Sequence, residues 1–336
     1  MNFRCAAKRF IAAIVIIVAA FMPATAYPVR AVNYRGCCDY VYVGGEIIGF
    51  EAKIDGVLVT DAQSVGVEGW QIKTSLKKGD VIKEIEGEKV AEASDIPEIL
   101  EKRAVGGSVR VLLERNGCSE ECETAVYYDC RRDCRVLGVE VKDGVCGLGT
   151  VTYTAAGGEF CGLGHEISDF ETGYTVQSRR GRIFTAAISG INKSVNGSAG
   201  SVKGYLTHTS IGMIEQCGKF GIRGRMDLGV FERGDLLRLG GKEDVTMGSA
   251  RICSSVSGKK EYYDIKIIRG FHQSEKKEKS MIIKVVDRRL IEITGGIIQG
   301  MSGSPIVQNG TIVGAVTHVF TGDATMGYGV YADWQR

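Results

Sequence analysis

Proline is scarce in this sequence, at 4 of 336 residues, while glycine occurs 46 times. An excess of charge of either sign is also missing. Lys and Arg total 42, Asp and Glu total 40, and the formal net charge is +2. With the basic residues dispersed, there is no nucleic-acid footprint. No long amphipathic helix appears in the body of the chain. Histidine occurs at only 4 positions, so chemistry that needs an imidazole has few places to be. What is abundant is glycine, about twice the average of roughly 7%, and Val, Ile and Thr in short runs. That pattern predicts a β-rich protein with many glycine turns, built as a sandwich or barrel. The length predicts two domains, each with a core of its own.

Long hydrophobic runs are nearly absent as well. The longest is the 13-residue stretch from Phe10 to Met22, preceded by Arg4, Lys8 and Arg9. It falls short of the roughly 20 residues a membrane span needs. Ala24-Thr25-Ala26 follows it as a small-x-small cleavage pattern, so residues 1–26 read as a signal peptide that exports the rest. An uncleaved anchor, extended through Ala19 to Ala26, is the alternative. Of 11 cysteines, Cys5 lies in this segment and ten remain. An even number in an exported chain permits disulfides. Cys118, Cys122, Cys130 and Cys134 form two C-x3-C pairs, within range of a structural zinc site. No histidine lies beside them, so disulfides or free thiols are the preferred reading, with no metal and no cofactor expected.

The first folded unit is expected over residues 39–116. "SLKKGDVIKEIEGEKV" gives a loop, a strand and a Glu86-Gly87 hairpin. Ser94 is placed to cap a helix beginning near Asp95, with Pro97 in its first turn. "GGSVRVLLERNG" closes the unit with a strand and an Asn-Gly turn. This unit resembles a PDZ domain. The resemblance rests on Ile47-Ile48-Gly49-Phe50, which look like the Φ-Gly-Φ carboxylate-binding loop, and on Leu76-Lys77-Lys78-Gly79-Asp80-Val81-Ile82. It implies that a peptide or protein tail adds to a sheet edge, its carboxylate held by the backbone amides of Ile47 to Phe50. Residues 117–135 read as a Cys-rich linker, and residues 136–336 as a second, all-β domain.

The chemistry is carried by "GGIIQGMSGSPIVQNGTIVGAVTHVF", Gly295 to Phe320. Within it, Gly300-Met301-Ser302-Gly303-Ser304-Pro305 looks like the nucleophile loop of chymotrypsin-like serine proteases. An acyl-transfer oxyanion needs two converging backbone N–H donors, here those of Gly300 and Ser302. Glycine at 300 permits a turn that side chains would block. Ser302, rather than Ser304, is then the nucleophile. A serine hydroxyl needs a base. Among His165, His208, His272 and His318, His165 ranks first, because it alone sits early in the second domain at a tight glycine corner. For the orienting acid, Asp287 ends the apolar run "MIIKVVD" and is chosen over Asp169, Asp235 and Asp264, although pairing with Arg288 or Arg289 is an equally simple use for it. Thr317, His318 and Val319, on the strand after the nucleophile, are expected to line the primary specificity pocket.

Taken together, the export segment, the PDZ-like unit, "LGHEISD", the block from Lys279 to Phe320 and "GYGVYADW" resemble the stage IV sporulation protein B peptidases. That resemblance places the family's His, Asp and Ser on His165, Asp287 and Ser302. It implies a PDZ domain followed by a chymotrypsin-like double β-barrel. It also implies a regulatory serine endopeptidase, secreted from the forespore into the space between the two membranes. There such an enzyme processes itself and cleaves a membrane-bound inhibitor, which releases sigma-K activation. The Cys cluster is not part of that pattern. Digestive serine proteases carry Asp before the nucleophile, to pair with a newly cut N-terminus; here Met301 stands there, so activation by that insertion is excluded. The competing expectation is a signalling adaptor with an inactive protease-like domain.

Overall fold

The computed structural model describes residues 40–62, 72, 74–195, 197–271 and 273–336. The export segment and His272 lie outside these residues. Two closed antiparallel barrels make up most of the chain. Their strands are numbered here in chain order.

The first barrel is built from β1 (Ile47–Asp61), β2 (Glu140–Thr154), β3 (Glu159–Leu163), β4 (Gly181–Asn192), β5 (Ser201–Gly218) and β6 (Gly221–Met226). The ring closes in the order β1-β2-β3-β6-β5-β4 and back to β1. Inside it Ile48, Phe50, Val151, Phe160, Ile183 and Ile222 form one buried cluster.

The second barrel uses β7 (Gly248–Ser254), β8 (Glu261–Gly270), β9 (Met281–Val285), β10 (Pro305–Gln308), β11 (Thr311–Val319) and β12 (Met326–Tyr331). It closes as β7-β8-β9-β12-β11-β10 and back to β7. Strand β8 shows why the sequence folds this way. In "EYYDIKIIRG", Tyr263, Ile265 and Ile267 are buried while Asp264, Lys266 and Ile268 point out, the period of two that a half-buried strand requires. This is the mostly β, chymotrypsin-like double barrel expected from the sequence.

A separate folded unit is present where the PDZ-like unit was expected, but its boundaries differ from residues 39–116. It is inserted between β1 and β2. Its core runs from Val57 and Val59 through Leu76, Ile82, Leu100 and Val111 to Leu137. Strands Val81–Ile85 and Ser108–Arg115 and a helix, Asp95–Leu100, enclose that core. Both long barrel strands run straight into it: β1 pairs with β2 at Ile47↔Thr150 in the barrel and again at Val59↔Val141 in the insert. The Asn116-Gly117 turn is in place, with both residues at positive φ. Ser94 precedes the helix but makes no capping bond; the Asp95 carboxylate instead accepts from the Ala91 and Glu92 amides.

Two corrections follow. The 117–135 segment is not a linker. Residues Cys118–Ala125 form a strand zipped residue for residue along Ser108–Arg115, and Tyr127–Asp129 pairs with Cys134–Val136. Cys118, Cys122, Cys130 and Cys134 thus sit within ordered β structure, and they are free thiols. Second, Ile47, Ile48, Gly49 and Phe50 do not form a PDZ carboxylate loop. They are buried barrel residues of β1, and Ile48 to Phe50 are paired on both edges, with Gly149 and Thr185 flanking Ile48. A strand with both neighbours filled has no edge to offer a peptide.

Candidate active site

The nucleophile segment lies between the barrels and is fixed from both sides. From the second barrel, Met301 is fully buried in the core, which explains an apolar residue at that position. The Gly303 amide donates to the Val316 carbonyl at 2.8 Å and the Ser304 amide to that of Met301 at 2.9 Å. From the first barrel, two buried threonines of β2 grip the loop's carbonyls. Thr150 Oγ1 donates to Gly300 O at 2.7 Å and Thr152 Oγ1 to Gly303 O at 2.8 Å. The Thr150 amide adds a bond to Ser302 O at 2.8 Å. Gly303 has φ +97°, and a methyl there would lie 2.0 Å from the Thr150 carbonyl oxygen and 2.5 Å from the Leu163 amide nitrogen. Glycine is required on both counts. The two threonines were not anticipated, since alternating Thr in a β-run reads as strand propensity.

With the carbonyls spent, two amides are left over. Among the described residues neither Gly300 N–H nor Ser302 N–H has an acceptor. Gly300, at φ +99°, takes the left-handed conformation expected of it. Two unspent donors, two residues apart and beside a serine hydroxyl, are what a developing oxyanion needs. Ser302 is partly exposed, and its Oγ donates to the Thr317 carbonyl at 2.9 Å. Ser304 is fully buried and its hydroxyl has no partner, so it is out of reach of substrate.

His165 follows the Leu163-Gly164 corner, where both residues have positive φ. The corner abuts β11: a methyl on Gly164 would meet Thr317 Cγ2 at 3.1 Å and Val316 O at 3.4 Å. His165 and Ser302 therefore approach the same three residues, Val316 to His318. His165 Nδ1 lies 2.7 Å from the Glu166 carbonyl oxygen. A carbonyl only accepts, so Nδ1 carries the proton and Nε2 is the basic nitrogen. The Glu166 amide in turn donates to the Glu278 carboxylate at 2.9 Å, and Thr317 Oγ1 donates to the Glu278 carbonyl at 3.3 Å. Glu278 thus joins the base-bearing corner to β11, and no sequence motif marked it.

Asp287 does not serve His165. It caps the helix Arg288–Thr294, accepting from the Arg289 amide at 2.9 Å, and is paired with the Arg289 guanidinium at 2.8 Å. It also accepts from the Asp264 amide at 3.2 Å. The Arg289 guanidinium, assisted by these amides, holds the Asp287 carboxyl below the usual carboxylate range. Asp169, the other acid near in sequence, is taken by Lys142 and by Thr172. The tautomer of His165 is set by a backbone carbonyl instead. Asp235 accepts from the Tyr262 hydroxyl, and His208 is exposed on β5.

Of the three expected pocket residues, Thr317 gives its carbonyl to Ser302, and Val319 packs on the second-barrel core. His318 turns toward His165, with ring centroids 5.1 Å apart and planes tilted by 43°. Its Nδ1 is buried without a partner. Burial, with repulsion from His165 and Lys279, pushes the His318 imidazole down to about 4.

Residues 133–335, more than half of the chain, match the SpoIVB peptidase S55 family. No curated protein sequence matches. Solved structures with partial similarity include the PDZ domain of an SdrC-like protein from Listeria monocytogenes, at 19% identity and TM-score 0.22, covering 26% of this chain and 87% of that one. Another is the HtrA-type protease AlgW with a tripeptide, at 14% identity and TM-score 0.31, covering 56% of this chain and 54% of that one. A third is an inactive form of a Mycobacterium tuberculosis H37Rv protein, at 13% identity and TM-score 0.29, covering 55% and 77%.

Proposed function

Because this chain belongs to the SpoIVB peptidase S55 family and is a serine peptidase, we propose that it is an exported regulatory endopeptidase working through Ser302 and His165. The observation that carries this reading is the pair of unspent amides at Gly300 and Ser302 beside the Ser302 hydroxyl. An adaptor with an inactive domain would have no use for two unsatisfied donors beside a partly exposed serine hydroxyl.

In the proposed reaction, Ser302 Oγ leaves the Thr317 carbonyl and attacks the scissile carbonyl carbon while His165 Nε2 takes its proton. The new oxyanion is held by the Gly300 and Ser302 amides. His165 then gives the proton to the leaving amine, and the C–N bond breaks to leave an acyl-enzyme. Water, deprotonated by the same nitrogen, releases the acid and restores the hydroxyl.

We also propose, from the family resemblance, that the enzyme acts on itself and on a membrane-bound inhibitor, between the forespore and mother-cell membranes, in control of sigma-K. The inserted PDZ domain would hold a protein tail. Because Met301 is a core residue, control by an N-terminal ion pair has no anchor here, and the insert is the natural substitute.

The test is covalent labelling with a fluorophosphonate. Wild type should be labelled on the peptide containing Ser302. Ser302→Ala should be unlabelled and His165→Ala close to unlabelled, both with wild-type melting curves. A label on Ser304, or full labelling of His165→Ala, would overturn the assignment.

A further inference from the structure

The loop between β8 and β9 is polar and, from Ser274 to Lys277, exposed. Loops of this kind are ordinarily mobile. Its last turn is nevertheless pinned at three consecutive carbonyls. The hydroxyl of the buried Ser280 donates to Lys277 O at 2.6 Å, Thr317 Oγ1 to Glu278 O at 3.3 Å, and Gln273 Nε2 to Lys279 O at 3.1 Å. The Ser280 amide donates to Gly329 O and the Ser280 carbonyl accepts from Phe271 N, each at 2.8 Å, so the chain re-enters the second barrel at a fixed point. The side chain at the centre of this clamp is Glu278.

Glu278 is half-buried and reaches the first barrel, where its Oε1 accepts from the Glu166 amide at 2.9 Å. Glu166 itself is exposed, and its two backbone groups have different tasks. The N–H is held by Glu278, and the C=O accepts from His165 Nδ1 at 2.7 Å. One residue further on, Ile167 is buried and its carbonyl accepts from Val176 N at 2.8 Å. A residue has only two soft backbone dihedrals. With its N–H and the following residue both fixed, the direction of the Glu166 carbonyl is fixed as well. An imidazole oriented by a backbone carbonyl is only as well placed as the peptide that carries it, and a misplacement of about 1 Å costs on the order of a hundredfold in rate.

We infer that Glu278 is the positioning residue for His165. Its carboxylate, acting through the Glu166 backbone, holds the imidazole in the Nδ1–H tautomer and leaves Nε2 as the base. What His165 does rests on the peptidase reading; how it is held rests on the geometry alone. The contacts also lead back to the nucleophile. Thr317, whose hydroxyl pins Glu278, gives its carbonyl to Ser302 Oγ at 2.9 Å.

Reach and charge can be separated in the full-length protein. Glu278→Gln keeps an oxygen at the same reach and loses the charge. Glu278→Asp keeps the charge and falls one carbon short. Glu278→Ala loses both. Thr317→Val removes the pinning hydroxyl and leaves the backbone carbonyl. Saturation labelling of Ser302 with a fluorophosphonate gives a maximal rate and a half-saturating concentration. The maximal rate should fall by about tenfold to a hundredfold in Glu278→Ala and Glu278→Asp, and by roughly threefold at most in Glu278→Gln, with half-saturation unchanged. Thr317→Val should lose a smaller factor alone and nothing further when added to Glu278→Ala. Nitrogen NMR of protein with isotope-labelled histidine, at alkaline pH where the rings are neutral, reads the tautomer directly, and the His165 signals are those lost in His165→Gln. Wild type and Glu278→Gln should keep the proton on Nδ1, while Glu278→Asp and Glu278→Ala should shift toward the Nε2–H form. The same tautomer in all of these proteins, a fast Glu278→Asp beside a slow Glu278→Gln, or losses from Thr317→Val and Glu278→Ala that multiply would overturn the proposal. The NMR reading needs no reaction, so a wild type that fails to label but shows the tautomer shift in its variants counts against the peptidase reading alone.

Discussion

The Thr150 hydroxyl, on the first barrel, donates to the Gly300 carbonyl, on the nucleophile loop of the second, at 2.7 Å. This bond is buried and spans both barrels. It holds Gly300 in the left-handed conformation that leaves its amide unspent. Thr150→Val keeps the volume and removes the donor, leaving a buried carbonyl unpaired at a cost of about 1–3 kcal/mol. Because an oxyanion contact acts in the transition state, kcat should fall by about tenfold or more with little change in KM, and Thr150→Ser should restore most of it. Steady-state kinetics on any cleavable peptide decides it. A loss confined to KM would show that Thr150 only shapes binding.

Ser304 offers the opposite case. Its hydroxyl is buried and unpartnered, so Ser304→Ala removes a desolvated polar group without breaking a bond. Stability should be unchanged or up by about 1 kcal/mol, with fluorophosphonate labelling retained. Urea denaturation and labelling in parallel provide the measurement.

Gly49→Glu tests the reassignment of β1. A side-chain carbon there would lie 2.3 Å from Leu206 Cγ, inside the barrel wall. Overpacking alone costs about 1–3 kcal/mol, and a buried carboxylate adds to it. The variant should melt well below wild type or fail to fold. A folded variant of normal stability that merely loses peptide binding would return this loop to the PDZ domain.

These cases mark what the sequence made legible. Strand content, the Asn116-Gly117 turn and the glycine-ruled loop at Gly300 to Gly303 follow from local residue chemistry, and local chemistry is what a linear reading sees. The insertion is not visible in the sequence, because Ile54-Asp55-Gly56 reads as a break between two β-like runs of one domain, whereas the strand runs unbroken from Ile47 to Asp61. Its partners, Leu148 and Phe184 beside Gly49, are distant in sequence. Asp287 was read as a catalytic acid because it ends an apolar run. The following seven-residue helix, too short to show periodicity, claims it as a cap. Thr150 and Glu278 act through long-range contacts that no spacing rule encodes.

Asp287 should therefore report on the helix. Asp287→Ala loses both cap and charge and should cost about 0.5–2 kcal/mol. Asp287→Asn keeps a capping oxygen and should cost less. The folded carboxyl titrates below its ordinary range because of Arg289. Its stabilisation is thus full above the ordinary carboxylate pKa of about 3.9 and is lost as pH falls through the lower folded value. The gap between wild type and Asp287→Asn should be constant near neutrality and close in that acid window. Thermal melts across pH measure it, and a gap independent of pH down to the acid limit would remove the ion pair from the account.

His318 gives the last and sharpest pH dependence. Its ring is packed against His165 with a buried, unpartnered Nδ1, and the folded imidazole titrates at about 4 rather than 6.5. Between those values the unfolded chain binds a proton that the folded chain refuses. Protonation then favours unfolding, so His318's contribution is fully present above about 6.5 and is lost as pH falls toward the folded value. Wild-type stability should decline through that window, and His318→Gln, which cannot take a proton, should decline less steeply. The two curves should run parallel above neutrality. Lys279 and His165 are the charged groups facing this ring, so Lys279→Gln should shift the midpoint of the decline upward on the pH scale without removing it. Chemical denaturation at half-unit steps of pH tests all three. Equal slopes for wild type and His318→Gln would mean that the imidazole is solvated in the folded protein and does not stack on His165.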